Sequence, residues 1–150
     1  MVVYRLSRTK YANDLLGEGA RLNGGRWNNI HFACIYTAES RALAVLEYTV
    51  NTSLDDIPRS LSMLTLEIPD RIMEVNEVDL PGNWKISPAP ASTKNFGTKF
   101  LKEGIYPVLK LPSIIIPQEF NYLINPFHKN NIEFKILNIS DFVYDARVKA

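Results

Sequence analysis

Short apolar runs are spread along the whole chain, and most of them are too short to form an independent helix. Runs rich in β-branched and aromatic residues predict strands. The predicted strands are Val2 to Leu6, His31 to Tyr36, Leu61 to Ile68, Arg71 to Val75, Tyr106 to Leu111, Ser113 to Ile116, Phe120 to Ile124, Phe134 to Ile139 and Phe142 to Tyr144. From Leu64 to Ile68 apolar and polar residues alternate, which indicates a strand with one buried face.

Two segments place apolar residues at the spacing of a helix. The first runs from Glu39 to about Val50, and Thr37 is positioned to cap it. Glu47 follows Leu43 by one helical turn, so the two side chains point in the same general direction. The second helix runs from Ser92 to Glu103. The irregular order of strands and helices predicts an α+β fold, with a mixed, mostly antiparallel β-sheet core and a few helices.

Length and composition fit one globular domain over residues 1–150. Hydrophobic residues make up 46% of the 150 residues and charged residues 22%, which is enough for a single core. A formal net charge of +1 argues against a basic surface for nucleic acid. The one cysteine, Cys34, cannot form an internal disulfide, and no apolar run approaches the ~18 residues of a membrane span. We therefore expect a cytoplasmic protein that contacts neither nucleic acid nor membrane directly.

Several common kinds of catalytic site are not predicted. His31 and His128 lie far apart, with no cysteine or carboxylate at metal-ligand spacing, so no metal site is expected. The glycines do not form the patterns that cradle dinucleotides or triphosphates, and no Gly-x-Ser-x-Gly sequence occurs. Isolated polar residues in apolar surroundings are the better candidates for chemistry.

Five such residues stand out. Arg26 follows two glycines and can either grip an anion or pair with an internal carboxylate such as Glu47. Glu47 lies beside an apolar stripe, where a carboxylate is either functional or at the solvent edge. Tyr36 ends an apolar run and is either a core aromatic or a surface for a planar ring. Ser113 and Asn121 lie in apolar segments and need hydrogen-bond partners.

The order of several short motifs resembles one known family. The motifs are Tyr4-Arg5, Gly24-Gly25-Arg26-Trp27-Asn28, Ile35-Tyr36-Thr37, Ala44-Val45-Leu46-Glu47, Leu111-Pro112-Ser113 and Pro117 to Pro126. Together they resemble the RES domain, a family named for an arginine, a glutamate and a serine. The resemblance spans nearly the whole chain.

This resemblance implies an ADP-ribosyltransferase-like fold and a toxin of a type II toxin–antitoxin system. Proteins of this family consume NAD+ at the nicotinamide–ribose bond, by hydrolysis or phosphorolysis, so NAD+ is a substrate and no cofactor is implied. The implied catalytic residues are Arg26, Tyr36 and Glu47, and the implied substrate-binding residues are Arg5, Ser113 and Asn121.

The resemblance also implies a cognate antitoxin protein, typically one with a helix-turn-helix that would make any DNA contact. It leaves self-association into a homo-oligomer open. Two other functions stay open at this point. One is the transfer of ADP-ribose to a protein target. The other is a non-catalytic binding module in which Arg26 and Glu47 form a structural ion pair.

Overall fold

The structure, a computed structural model, describes residues 1–129 and 133–149. Its strands are β1 (Val2–Arg8), β2 (Ile35–Ala38), β3 (Leu61–Glu67), β4 (Ile72–Glu74), β5 (Val108–Pro112), β6 (Phe120–Ile124) and β7 (Lys135–Phe142). Its α-helices are α1 (Glu18–Asn23), α2 (Arg41–Asn51) and α3 (Ala91–Glu103), and short 3-10 turns cover Thr9–Tyr11, Leu54–Asp56, Glu77–Asp79 and Ala146–Lys149. None of the helices in the described ranges is long and apolar enough to cross a membrane.

These strands form a sheet in the order β4-β5-β6-β2-β1-β3-β7. Neighbouring strands are antiparallel except β4 and β5, which run parallel. β1 pairs with β3 along its whole length, but it meets β2 only where Tyr4 faces Ala38. The sheet therefore opens between these two central strands. The architecture confirms the predicted α+β fold with a mixed, mostly antiparallel sheet.

Both faces of the sheet are covered, because successive residues of a strand point to opposite sides. On one face, Leu43 of α2 packs in a cluster with Leu6 of β1, and Phe100 of α3 packs in a cluster with Leu123 of β6. Val3 of β1 belongs to the cluster on the opposite face. The face covered by α2 and α3 is the one that carries the candidate site.

Two predictions near the first strands are wrong because local hydrogen bonds compete with the regular pattern. The strand predicted from His31 to Tyr36 starts only at Ile35. The Phe32 carbonyl accepts a hydrogen bond from the Asn28 side chain at 3.0 Å, which holds residues 31–34 against the preceding loop. The N-cap of α2 is Ser40, whose Oγ accepts from the Leu43 amide, whereas Thr37 lies within β2 and donates to the Tyr122 carbonyl.

The last third of the chain also departs from the prediction. The segment from Ser113 to Ile116 bends instead of forming a strand. The two strands predicted from Phe134 to Ile139 and from Phe142 to Tyr144 are replaced by the single strand β7. The short helix α1 lies in a segment that was predicted only to be polar, because six residues are too few to show a helical period.

Candidate active site

Glu47 lies near the end of α2, one turn beyond the buried Leu43, and its carboxylate is held by two side chains from distant parts of the chain. Its Oε1 atom accepts a hydrogen bond from Ser113 Oγ at 2.8 Å and another from Asn121 Nδ2 at 2.7 Å. Its Oε2 atom accepts none from the described residues. We call these three residues the Glu47 group. The fold thus joins three of the six predicted site residues, and it leaves one carboxylate oxygen available.

Ser113 is oriented by the bend that follows β5. Its side chain is fully buried, and its Oγ accepts hydrogen bonds from the backbone amides of Ile115 at 3.1 Å and Ile116 at 3.2 Å. Because these amides occupy the lone pairs of the hydroxyl oxygen, its proton is directed at Glu47. The bend that breaks the predicted strand is therefore what aims this serine.

Asn121 of β6 carries an unusual acceptor. Its Nδ2 donates to Glu47, so its Oδ1 points the other way, where it is buried and has no hydrogen-bond partner among the described residues. A buried polar atom without a partner costs about 1–3 kcal/mol, and such exceptions commonly occur where function constrains the structure.

Arg26 does not pair with Glu47. Its Nη1 donates to the carbonyls of Trp84 at 3.2 Å and Ile86 at 2.6 Å, and its Nη2 donates to Ser87 Oγ at 2.9 Å. Burial lowers the pKa of Arg26, while the negative charge of Glu47 opposes that shift. The predicted alternative of a structural ion pair is therefore wrong, because the segment from Trp84 to Ser87 takes these donors. The charges of Arg26 and Glu47 interact only at longer range.

Tyr36 is half-buried on β2, and its hydroxyl anchors the glycine loop. The hydroxyl donates to Asn28 Oδ1 at 2.6 Å and accepts from the Trp27 amide at 3.0 Å. Burial is the main reason that the pKa of Tyr36 is raised well above its usual value, so the hydroxyl stays protonated. A Cβ atom on Gly25 would lie 2.5 Å from the hydroxyl oxygen, so only glycine allows this approach.

Arg5 lies on β1, where the sheet opens toward β2. Its Nη1 makes one long hydrogen bond, 3.4 Å, to the Asp14 carbonyl, and burial lowers the pKa of the guanidinium. Because successive residues of a strand point to opposite faces, Arg5 lies on the Val3 side of β1 and not on the Leu6 side, next to the opening between β1 and β2. No hydrogen bond or ion pair in the described ranges joins Arg5 to Glu47.

Comparisons with known proteins show the family to which the chain belongs. Residues 2–145 match the family described as the RES domain. The chain belongs to the RES domain family. A Sphingobium (strain YBL2) protein named Prs ADP-ribosylating toxin is 37% identical over 146 residues, which cover 95% of this chain and 91% of the relative. Toxin Res of Photorhabdus laumondii is 36% identical over 155 residues, which cover 99% of this chain and 97% of the relative.

A solved structure supports the same fold. The Mycobacterium tuberculosis MbcT–MbcA toxin–antitoxin complex contains a chain that aligns with a TM-score of 0.75 at 17% identity, covering 95% of this chain and 84% of that one. At this identity the likeness concerns the fold. Both named relatives are toxins, which agrees with the toxin that the resemblance implies.

Two further residues of this RES domain hold the site together without having been predicted. Asn28 is completely buried, and its Nδ2 donates to the carbonyls of Ala20 at 2.8 Å and Phe32 at 3.0 Å while its Oδ1 accepts from Tyr36. Lys94 of α3 donates from Nζ to the Gly25 carbonyl at 2.8 Å. Asn28 ends the Gly24–Asn28 motif, which is the one signal that could have identified it. Nothing in the sequence links Lys94 to a loop so far away.

The charged groups of this site are the Glu47 carboxylate and the Arg26 guanidinium. Within the described ranges, no group of three or more His, Cys, Asp or Glu side chains is placed to hold a metal ion. A carboxylate with one oxygen that accepts no hydrogen bond from the described residues can stabilise a developing positive charge, and the Arg26 guanidinium can attract a phosphate. The cavity described below lies elsewhere, so the Glu47 group is identified by its contacts.

Proposed function

We propose that this RES-domain protein is a toxin enzyme that depletes NAD+ by cleaving the bond between nicotinamide and ribose. The observation that carries the proposal is the Glu47 carboxylate, which Ser113 and Asn121 hold by one oxygen while the other accepts no hydrogen bond from the described residues. Breaking this bond develops positive charge on the ribose carbon, as in glycoside hydrolysis. A fixed carboxylate stabilises that charge without having to reorganise.

The reaction needs no strong acid. As the carbon–nitrogen bond breaks, nicotinamide leaves as a neutral molecule with the bonding electron pair. An oxygen of water then bonds to the ribose carbon and releases one proton to solvent, or an unprotonated oxygen of phosphate bonds to that carbon with no proton released from it. In this proposal Arg5 and Arg26 bind the pyrophosphate, and the ring of Tyr36 stacks on nicotinamide. Ser113 fixes the orientation of Glu47, because its hydroxyl proton is already committed to the carboxylate.

The test compares wild-type protein with Glu47→Gln and with Glu67→Gln, a change at an exposed glutamate at the end of β3. We expect Glu47→Gln to lower the rate of NAD+ consumption by about a hundredfold or more while the fold is kept, since one preorganised electrostatic contact is removed. Glu67→Gln should keep the wild-type rate. Chromatography with and without phosphate separates ADP-ribose from its phosphate ester. Wild-type turnover by folded Glu47→Gln would refute the assignment.

A second candidate function is the transfer of ADP-ribose to a protein. It is favoured by one observation, the name of the Sphingobium relative, Prs ADP-ribosylating toxin. Incubation of a bacterial extract with NAD+ labelled in the adenosine part separates the two functions. Label retained on a polypeptide supports transfer, and label in small products supports depletion. The binding-module alternative predicts no loss of NAD+ in the same incubation, and the Arg26–Glu47 ion pair suggested for it is not formed, since Arg26 donates to Trp84, Ile86 and Ser87.

We propose a cognate antitoxin as the protein partner, on the grounds that the neighbouring fold was solved in a toxin–antitoxin complex. A helix-turn-helix in that antitoxin would supply any DNA contact, since the toxin itself carries a net charge of only +1. Co-expression of the toxin with the product of the adjacent gene should yield a stable complex and restore growth. Growth inhibition that the adjacent product does not relieve would contradict this pairing.

A further inference from the structure

A cavity of about 430 Å³ lies on the molecule away from the Glu47 group. Its walls come from α1, the loop after the glycine motif, the end of α3 and the segment after β6. The lining side chains used in the argument are Arg21, His31, Phe32, Lys102, Phe127 and Lys129. We call it the basic cavity. None of the six predicted site residues lines it, so it is separate from the proposed NAD+ site.

The charge of the basic cavity has one sign. Arg21, Lys102 and Lys129 are cationic, and no carboxylate is among the lining residues in the described part of the chain. Arg21 is already paired with Glu18 on α1, so the two lysines are the cations most available to a ligand. Cations that converge on a concave surface without a compensating carboxylate attract an anion.

The cavity also offers aromatic surface. Lys102 Nζ lies 5.0 Å from the centre of the Phe32 ring, and Phe127 keeps 67% of its surface exposed. A large exposed aromatic ring beside cations is costly to leave in water and well suited to stack on a planar ring. The volume is within the range of about 300–1,000 Å³ that small-molecule sites occupy.

The wall of the cavity contains a strained residue. His31 has a φ angle of 79°, the left-handed region that side chains other than glycine rarely adopt. Its amide donates to the Arg21 carbonyl at 2.7 Å, which fixes the conformation and joins two cavity residues. Strain of this kind persists where the surrounding structure imposes it, and it commonly marks ligand sites.

We propose that the basic cavity binds a small phosphate-bearing ligand with a planar ring, the chemistry of a nucleotide. Lys102 and Lys129 contact the phosphate, and Phe127 stacks on the ring. This site is distinct from the Glu47 group, and its existence does not depend on the reaction proposed for that group.

The first test maps adenosine monophosphate binding by titration of the ¹⁵N-labelled protein. We expect saturable shifts in the amides of Ala33 and Gly104, which lie in the cavity wall. Inorganic phosphate and adenosine are titrated separately, and each should bind about tenfold more weakly than the nucleotide because each makes only half of the contacts. Shifts confined to Ser113 and Asn121 would place the nucleotide in the Glu47 group and overturn the proposal. A complete lack of shifts would overturn it too.

The second test uses variants. Lys102→Glu with Lys129→Glu should weaken nucleotide binding at the cavity amides by at least about tenfold, whereas Lys135→Glu on the exposed surface of β7 should leave it unchanged. Phe127→Ala should weaken it by about fivefold through loss of stacking. Unchanged binding in the double lysine variant would refute the site. Glu47→Gln should still bind adenosine monophosphate in the basic cavity. Loss of NAD+ consumption with nucleotide binding kept therefore concerns the Glu47 group alone, whereas loss of nucleotide binding concerns the basic cavity.

Discussion

Tyr36→Phe separates the two features that this tyrosine offers, an aromatic ring and a hydroxyl. The ring is proposed to stack on nicotinamide, whereas the hydroxyl already has two partners within the protein. It donates to Asn28 Oδ1 and accepts from the Trp27 amide. We therefore expect the change to lower stability clearly and catalysis only slightly.

The magnitude follows from what the change leaves behind. Removing the hydroxyl deprives a buried amide of its acceptor and a buried side-chain oxygen of its donor. Trp27 is 4% exposed and Asn28 0%, so water cannot readily replace the lost partner. Each such group costs about 1–3 kcal/mol, and we expect about 2–4 kcal/mol for the two together. For a chain of this length that corresponds to a fall in Tm of about 5–15 °C.

Thermal unfolding followed by circular dichroism measures the stability, and NAD+ consumption well below the transition measures catalysis. Tyr11→Phe is the matched control, because its ring is 52% exposed and its hydroxyl has no hydrogen bond to a described residue. We expect it to change the free energy of unfolding by less than about 0.5 kcal/mol. If Tyr36→Phe kept the wild-type Tm but lost turnover, the hydroxyl would act in the reaction and the anchoring argument would be refuted.

Three further changes test other parts of the structure. Gly97→Ala would place a Cβ atom 1.8 Å from the Trp27 carbonyl oxygen, so we expect thermal unfolding to show a free energy of unfolding lower by more than about 3 kcal/mol. The control is Gly19→Ala, whose Cβ atom would meet no atom within 4 Å and which should be neutral or stabilising. Burial raises the pKa of the Cys34 thiol to about 12 from 9.0, so stability present below pH 9 should decline as pH rises toward 12. Between pH 8.5 and pH 10, denaturant titrations of Cys34→Ala should show a fall in the free energy of unfolding that is smaller by about 1 kcal/mol than in the wild type. An equal fall in the two proteins would contradict this prediction. Arg5→Met should change stability by less than about 1 kcal/mol but raise the KM for NAD+ by about tenfold, and an unchanged KM would exclude a substrate contact.

Local periodicity accounts for much of the fold. The strand Phe120–Ile124 was predicted to the residue, and the boundaries of α2 and α3 fall within two residues of the prediction, because a regular alternation or helical stripe is visible in a short window. The stretch Ser113 to Ile116 was wrong for the opposite reason. Its isoleucines suit a strand, but the Ser113 amide bonds to the Glu119 carbonyl and closes a loop.

The candidate site was predictable only in part. The order of the RES motifs named Glu47, Ser113 and Asn121, and the structure places all three in direct hydrogen bonds. No local pattern could show that Asn28 fixes the Tyr36 hydroxyl, since that bond depends on how the glycine loop folds back on β2. Such relationships depend on contacts that only the folded chain brings together.

Arg26 joins the glycine loop to the segment from Trp84 to Ser87 by hydrogen bonds, and none of these bonds reaches the Glu47 group. The Glu47 group is held by the bend after β5 and by β6, whereas the glycine loop is held by Asn28 and Lys94. Arg26 lies in the glycine loop and donates hydrogen bonds to the segment from Trp84 to Ser87. Its positive charge also interacts with the negative charge of Glu47. If Arg26 binds the pyrophosphate as we propose, its guanidinium has to release hydrogen bonds to Trp84, Ile86 or Ser87 before it can hold the phosphates in bidentate fashion. Lysine at this position would keep the charge and lose the fork, so activity lost in such a variant would reflect geometry and not electrostatics.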